Sequence, residues 1–252
     1  MTRLSRNGTW ILVLAGLIAA WQAYVRVRGV PQYVLPAPTD VARALWDERS
    51  ALASAAGVTA REMLAGFAVA LAFGFVAAVA LHVSATLRRA VYPLLVASQS
   101  VPVIAIAPLL VIYLGFGLAP KLVIVALVCF FPITVSALDG FRSVDPDHVR
   151  VMRTLRASRF AIFRRVELPW ALPSMFTGMR VAASYAAVAA LFAEYAAADT
   201  GLGNAMREGT AQYDAPLVGA AVVVLAGLAL ALFGLVTLVE RLTIPWARHR
   251  GR

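Results

Sequence analysis

Residues 65–81 read AGFAVALAFGFVAAVAL, without a charged or strongly hydrogen-bonding side chain. A helix that is apolar on every side must be buried on every side, in a large core or in a bilayer. The run is one of several. A bilayer crossing needs about 20 mostly apolar residues, and the chain offers six expected spans at 10–25, 58–83, 91–114, 122–141, 174–193 and 217–238. Only helices and closed barrels satisfy the backbone in lipid. These runs are rich in Ala, Leu and Val and lack the ten-residue alternation of barrel strands, so an all-α integral membrane protein is expected. Composition agrees: 61% of the residues are apolar, 14% are charged and the mean hydropathy is +0.79. With no repeat, low-complexity tract or long linker, residues 1–252 are read as one domain. Residues 1–20 also resemble a secretory signal, with Arg3 and Arg6 as its basic start, but the apolar run continues past Trp21 without a small-x-small cleavage site.

The net charge of +10 is read as topology rather than as affinity for nucleic acid. With the N-terminus inside and six alternating spans, sixteen of the 23 Lys and Arg residues fall in inside segments and seven outside. Both termini and residues 142–173 are therefore expected in the cytoplasm. Cys129 is the lone cysteine, and His82, His148 and His249 lie in separate segments, so neither a disulfide framework nor a metal centre is expected. There is no GxxxxGK[ST], and the single lysine, Lys121, follows GFGLAP. The chain therefore has no P-loop of its own, and no cofactor is expected on it.

Polar residues at membrane depth mark candidate functional positions. The third span carries Pro93, Pro102 and Pro108, with Ser98, Gln99 and Ser100 near its middle. Interrupted helices are tolerated where neighbours re-satisfy the backbone. These three residues and Tyr185 either bond neighbouring helices or line a translocation path. Glu194, near the end of the fifth span, is either an interfacial carboxylate or part of an outer gate. Between the first two spans, 30–48 contains three prolines, Thr39 as a plausible N-cap and a short amphipathic helix expected on the outer surface.

The segment 153–173, RTLRASRFAIFRRVELPWALP, holds five arginines in thirteen residues. Asp145, Pro146 and Asp147 signal a helix start. Because the residue before proline avoids the helical region, the helix is expected to end before Leu168-Pro169. About 22 residues lie between, enough for two short helices hinged near Ala157-Ser158. Val151, Leu155, Ile162 and Val166 fall on one narrow stripe at 100° per residue. The pattern suits an amphipathic helix on the anionic inner leaflet or an element docking into another protein.

The spacing resembles the cytoplasmic signature of ABC importer permeases: Glu-Ala-Ala, three residues, Gly, nine residues, Ile, one residue, Leu-Pro. Leu168-Pro169 takes the final pair, Val166 the Ile, Arg156 the Gly, and Arg150-Val151-Met152 the Glu-Ala-Ala triplet. LPAPTDV, SVPVIAIAPLLVIYLGFG, KLVIVALVCFFPITVSALDGF, LPSMFTGMRVA and AEYAAADTGLGNAM are similar, in that order, to permeases of the nitrate, sulfonate and taurine type. The resemblance implies a type I ABC importer permease fold of six transmembrane helices with a cytoplasmic coupling helix. Arg150, Val151, Met152, Arg153, Leu155, Arg156, Leu168 and Pro169 would then couple to the ATPase. It also implies two ATPase subunits, an extracytoplasmic solute-binding protein and a permease homodimer set in membrane lipid, with no nucleic acid. ALDGFR, RVAASYAAVAALFAEY and VERLTIPW look most similar to the branch carrying pyrimidine precursors of thiamine, with sulfonate, taurine or nitrate as the alternative. Two other classes are weighed: a membrane-embedded enzyme, and the scaffold of an energy-coupling-factor importer.

Overall fold

The computed structural model describes residues 3–197 and 199–246; the side chains of 3–8, 10, 104 and 197 are not described. Arg248, His249, Arg250 and Arg252 lie outside the described residues. Eleven α-helices and one π-helical turn account for nearly all of the rest, with no strand among the described residues. They form two compact units, one comprising 1–58 and 199–225, the other 59–198 and 226–252. Among the described residues, five helical segments are long and apolar enough to cross a membrane: Ile11–Arg28, Arg49–Val83, Leu118–Arg142, Arg159–Ala196 and Ala215–Thr243.

In the first unit, α1 (Arg3–Arg28) ends at Gly29, whose φ of 60° lets the Val30 N–H reach back to the Val25 carbonyl. The short helix expected after the prolines is α2 (Pro38–Asp47). Its N-cap is Ala37 rather than Thr39. Pro38 is preset for the first turn, and the Asp40 carboxylate accepts the Ala37 N–H at 3.2 Å. The Thr39 hydroxyl instead accepts bonds from Gln22 and Arg26 of α1.

The second unit takes in most of α3 (Arg49–Val83), with α4 (Ala85–Ser98), α5 (Val103–Leu114), α6 (Leu118–Arg142), α7 (Pro146–Thr154), α8 (Arg159–Ile162), α9 (Leu168–Ala197) and the second half of α11 (Ala215–Thr243). Glycines set the packing. A Cβ on Gly66 would sit 2.5 Å from Val125 Cβ, and one on Gly74 3.0 Å from Ile133, so α3 and α6 lie in close contact and run the same way. A Cβ on Gly178 would meet the Pro132 carbonyl at 2.5 Å, and one on Gly140 the Ala171 carbonyl at 2.9 Å. Along α6 and α9 the contacting positions therefore rise on one helix as they fall on the other, which makes these two antiparallel. Small residues at such crossings let backbones approach where lipid supplies no hydrophobic drive.

Since α3 and α6 are parallel neighbours, the chain must travel back between them, and α4 and α5 carry it. The expected third span at 91–114 is thus two helices rather than one. Pro102 caps α5, and residues 99–102 between them are non-helical. The expectation that a helix must end before Leu168-Pro169 is also corrected. The chain passes from α8 through a π-helical turn, Phe163–Glu167, straight into α9. The Leu168 N–H bonds the Phe163 carbonyl, five residues back. This wider turn moves aside the carbonyl that the ring of Pro169 would strike, and Pro169 falls in the first turn of α9. The fifth span accordingly begins earlier than 174.

Candidate functional site

Asp145 caps α7, accepting the Asp147 N–H at 2.9 Å, with Pro146 at the first helical position. Arg150 donates to Asp147 at 2.6 Å, an exposed pair worth at most about 1 kcal/mol. Val151 and Leu155, four residues apart and so on one face, are 58% and 72% exposed. Phe160, in the following helix, is exposed as well. Exposed apolar side chains gathered beside arginines form a surface that asks for a partner.

α7 ends in a Schellman motif: the Arg156 N–H bonds the Arg153 carbonyl and the Ala157 N–H bonds the Met152 carbonyl. This geometry requires a left-handed residue, and Arg156 adopts it with φ of 57°. Arg156 is the position where the importer signature carries glycine, so the register drawn from sequence coincides with the backbone. A non-glycine residue there costs roughly 1–2 kcal/mol. Arg156→Gly is expected to stabilise the permease by about 1 kcal/mol, read as a higher apparent melting temperature in detergent. A lower melting temperature would show that the arginine side chain holds the loop.

Behind this exposed face the segment is anchored. Leu168 and Phe163 pack on a cluster of Ala78, Leu81, Leu138, Phe141 and Ala171, drawn from α3, α6 and α9. Phe141 is its hub: its ring lies 5.5 Å from Phe163 and stacks with His82 at 5.1 Å. His82 Nε2 in turn meets Glu167 Oε2 at 3.0 Å. A cavity of about 860 Å³ opens beside this cluster, lined by Val83, Val149, Arg153, Phe160 and Glu167 among others. Arg150, Val151, Leu155 and Arg156 thus face outward, Met152 is half-buried, Arg153 lines the cavity, and Leu168-Pro169 joins the segment to the helices.

The proposed path residues separate. Ser98, Gln99 and Tyr185 line one cavity of about 620 Å³ with Val101, Leu127, Phe131 and Val181. It opens at the non-helical break, where Ser98 Oγ donates to the Leu95 carbonyl. Ser100, exposed in the same break, is not among the lining residues. Glu194 is fully buried elsewhere and accepts the Thr59 hydroxyl at 2.6 Å.

One turn along α3 from Thr59 lies a pair that sequence reasoning missed: Lys121 Nζ donates to Glu62 Oε1 at 2.6 Å, with both residues buried. Glu62 Oε2 is buried without a hydrogen-bond partner among the described residues. The signal was present, since Glu62 is a carboxylate inside an expected span. Arg180 and Glu240 form a further ion pair between α9 and α11.

Comparison decides the family, for a sequence model of the binding-protein-dependent transport system inner membrane component matches residues 70–244. The chain belongs to that family. It is a multi-pass membrane protein and the permease subunit of an ABC importer. Similar curated proteins include the formylaminopyrimidine transport permease protein ThiX of Halalkalibacterium halodurans, 33% identical over 93% of this chain and 94% of that one. The riboflavin transport system permease protein RibX of Chloroflexus aurantiacus is 34% identical over 91% and 87%. The taurine transport system permease protein TauC of Escherichia coli is 33% identical over 96% and 91%. Among solved structures, the MetNI methionine ABC transporter in inward-facing conformations aligns with a TM-score of 0.69 and 19% identity, over 77% of this chain and 97% of that one. That likeness supports the fold. The permease therefore has the type I importer fold.

Proposed function

We propose that two copies of this permease form a translocation path above two ATPase subunits, which carry ATP and Mg, and below an extracytoplasmic solute-binding protein. The whole chain acts as one permease domain with both termini in the cytoplasm. α7 docks into the ATPase, Val151 and Leu155 filling an apolar groove while Arg150, Arg153 and Arg156 meet acidic rims. The observation that carries this reading is the pairing of an exposed apolar face on α7 with the buried anchor through Phe163, Leu168 and Phe141. Closure of the ATPases would move α7, and the anchor would pass that movement to α3, α6 and α9. The inward- and outward-open states exchange by such biasing of one equilibrium.

For the solute, the favoured class is a pyrimidine precursor of thiamine, with sulfonate, taurine or nitrate as the alternative. Relatives of nearly equal identity are named for different solutes, so identity alone does not choose. The cavity supports the neutral heteroaromatic: its described lining offers Ser98 and Gln99 for hydrogen bonds and Tyr185 and Phe131 for stacking, with no lysine or arginine to meet an anion. Deleting the gene is expected to abolish high-affinity uptake of radiolabelled hydroxymethylpyrimidine and leave uptake of taurine and nitrate unchanged. The reverse pattern would assign the anion.

A further inference from the structure

Helix α2 separates two cavities of opposite character within the first unit. At 100° per residue, Pro38, Val41, Ala42 and Leu45 share one face, and Asp40 and Arg43 lie on the opposite one. The apolar face roofs an open groove of about 760 Å³, whose other walls include Trp21 of α1 and Val218 and Val222 of α11. None of its described lining residues is charged. The groove is shaped by close contact: a Cβ on Gly219 would lie 2.9 Å from Val41 Cγ2, so α2 rests directly against the α11 backbone. The polar face of α2 borders a second cavity, of about 460 Å³, lined by Arg26, Gln32, Asp40 and Arg43. Asp40 neutralises Arg26 at 3.3 Å, which leaves a net positive charge there on Arg43.

Depth points to the occupant. The groove takes in Ile18 and Trp21 from the second half of α1, an apolar helix long enough to span. Trp21, Tyr33 and Tyr213 line it, each exposed on part of its surface. Tyrosine and tryptophan collect at the level of lipid headgroups, where an apolar ring with a polar tip suits both sides. Tyr213 is held there at φ of 59°, a left-handed conformation that bulky residues rarely adopt, by a Schellman turn at the end of α10 (Leu202–Ala211). An amphipathic helix with an apolar groove beneath it and a net cation above it matches the layering of a phospholipid.

We propose that this groove holds an acyl chain of a membrane phospholipid, with its phosphate drawn to Arg43 at the level of α2. The assignment depends neither on the orientation of the permease nor on its solute. The test uses the full chain purified in mild detergent and titrated with phosphatidylglycerol or phosphatidylethanolamine, bound lipid being counted by native mass spectrometry. Ala42→Trp fills the groove from α2, and Val222→Trp fills it from α11, so that one variant remains if the other fails to fold. Each is expected to weaken binding of both lipids about tenfold or more. Arg43→Gln is expected to weaken both lipids, phosphatidylglycerol more than phosphatidylethanolamine, whose ammonium already offsets its phosphate. Wild-type lipid binding in both filled variants would overturn the proposal. So would a change from dimer to monomer with lipid binding intact, because the groove would then hold a second copy of the chain.

Discussion

Replacing Lys121 with alanine is expected to be among the most damaging substitutions in this permease. Glu62 and Lys121 are 3% and 6% exposed, and among the described residues the ammonium alone supplies the carboxylate with a hydrogen bond, at 2.6 Å. Without the lysine, the buried carboxyl group is left with nothing to replace its hydration. Removing one partner of a buried pair costs about 3–5 kcal/mol. In a chain of this length that is a fall of roughly 6–20 °C in apparent melting temperature. Replacing both partners by apolar residues of similar size, Glu62→Leu with Lys121→Met, is expected to recover most of the loss, because no charge is then left unpaired. A Lys121→Ala permease that melts like the wild type would show that the pair is hydrated. The pair ties α3 to α6, and the neighbouring Thr59–Glu194 bond ties α3 to α9. At the far end of α3 the His82–Glu167 contact and the Phe141 cluster do the same. Held at both ends, these three helices are built to move together.

Much of this architecture was legible in the sequence, and its limits are physical. The spans were readable because a bilayer imposes a minimum length on apolar helices, and α3, α6 and α11 meet it without interruption. Three prolines in the third span foretold a disturbance, but they did not say that the chain would split at 99–102. That depends on which neighbours re-satisfy the freed backbone. The importer register was legible from Leu168-Pro169 backward, and the left-handed backbone of Arg156 falls where the signature carries glycine. The helix through Pro169 was not legible. The rule about residues preceding proline assumes α-helical spacing, and the π-helical turn at Phe163–Glu167 evades it. Nor was the pairing of Glu62 with Lys121, which are 59 positions apart and meet because Gly66 and Val125 bring α3 against α6. Sequence showed a charge in a span; packing chose its partner. Likewise Ser98, Gln99 and Tyr185 share a cavity while Ser100, one residue further on, does not line it.

The second large effect concerns α7. Val151→Asp with Leu155→Asp removes two exposed apolar anchors and sets carboxylates against a surface expected to be apolar and acid-rimmed. Burying each such side chain in a partner contributes about 1.5–3 kcal/mol, so losing both is expected to weaken ATPase binding roughly 10²–10⁴-fold. Both residues are solvent-facing and lie outside the Phe141 cluster, so the permease itself is expected to melt within a degree or two of wild type. Arg150→Ala, which removes an exposed pair with Asp147 and one charge at the proposed rim, is expected to change affinity far less. The most direct measurement is a titration of the purified ATPase subunit against the permease in lipid nanodiscs, wild type beside the double variant. Loss of binding by two orders of magnitude or more, with unchanged melting, is the result predicted for a coupling helix. Equal affinity for both proteins would mean that α7 rests on the membrane surface and that the ATPase docks elsewhere.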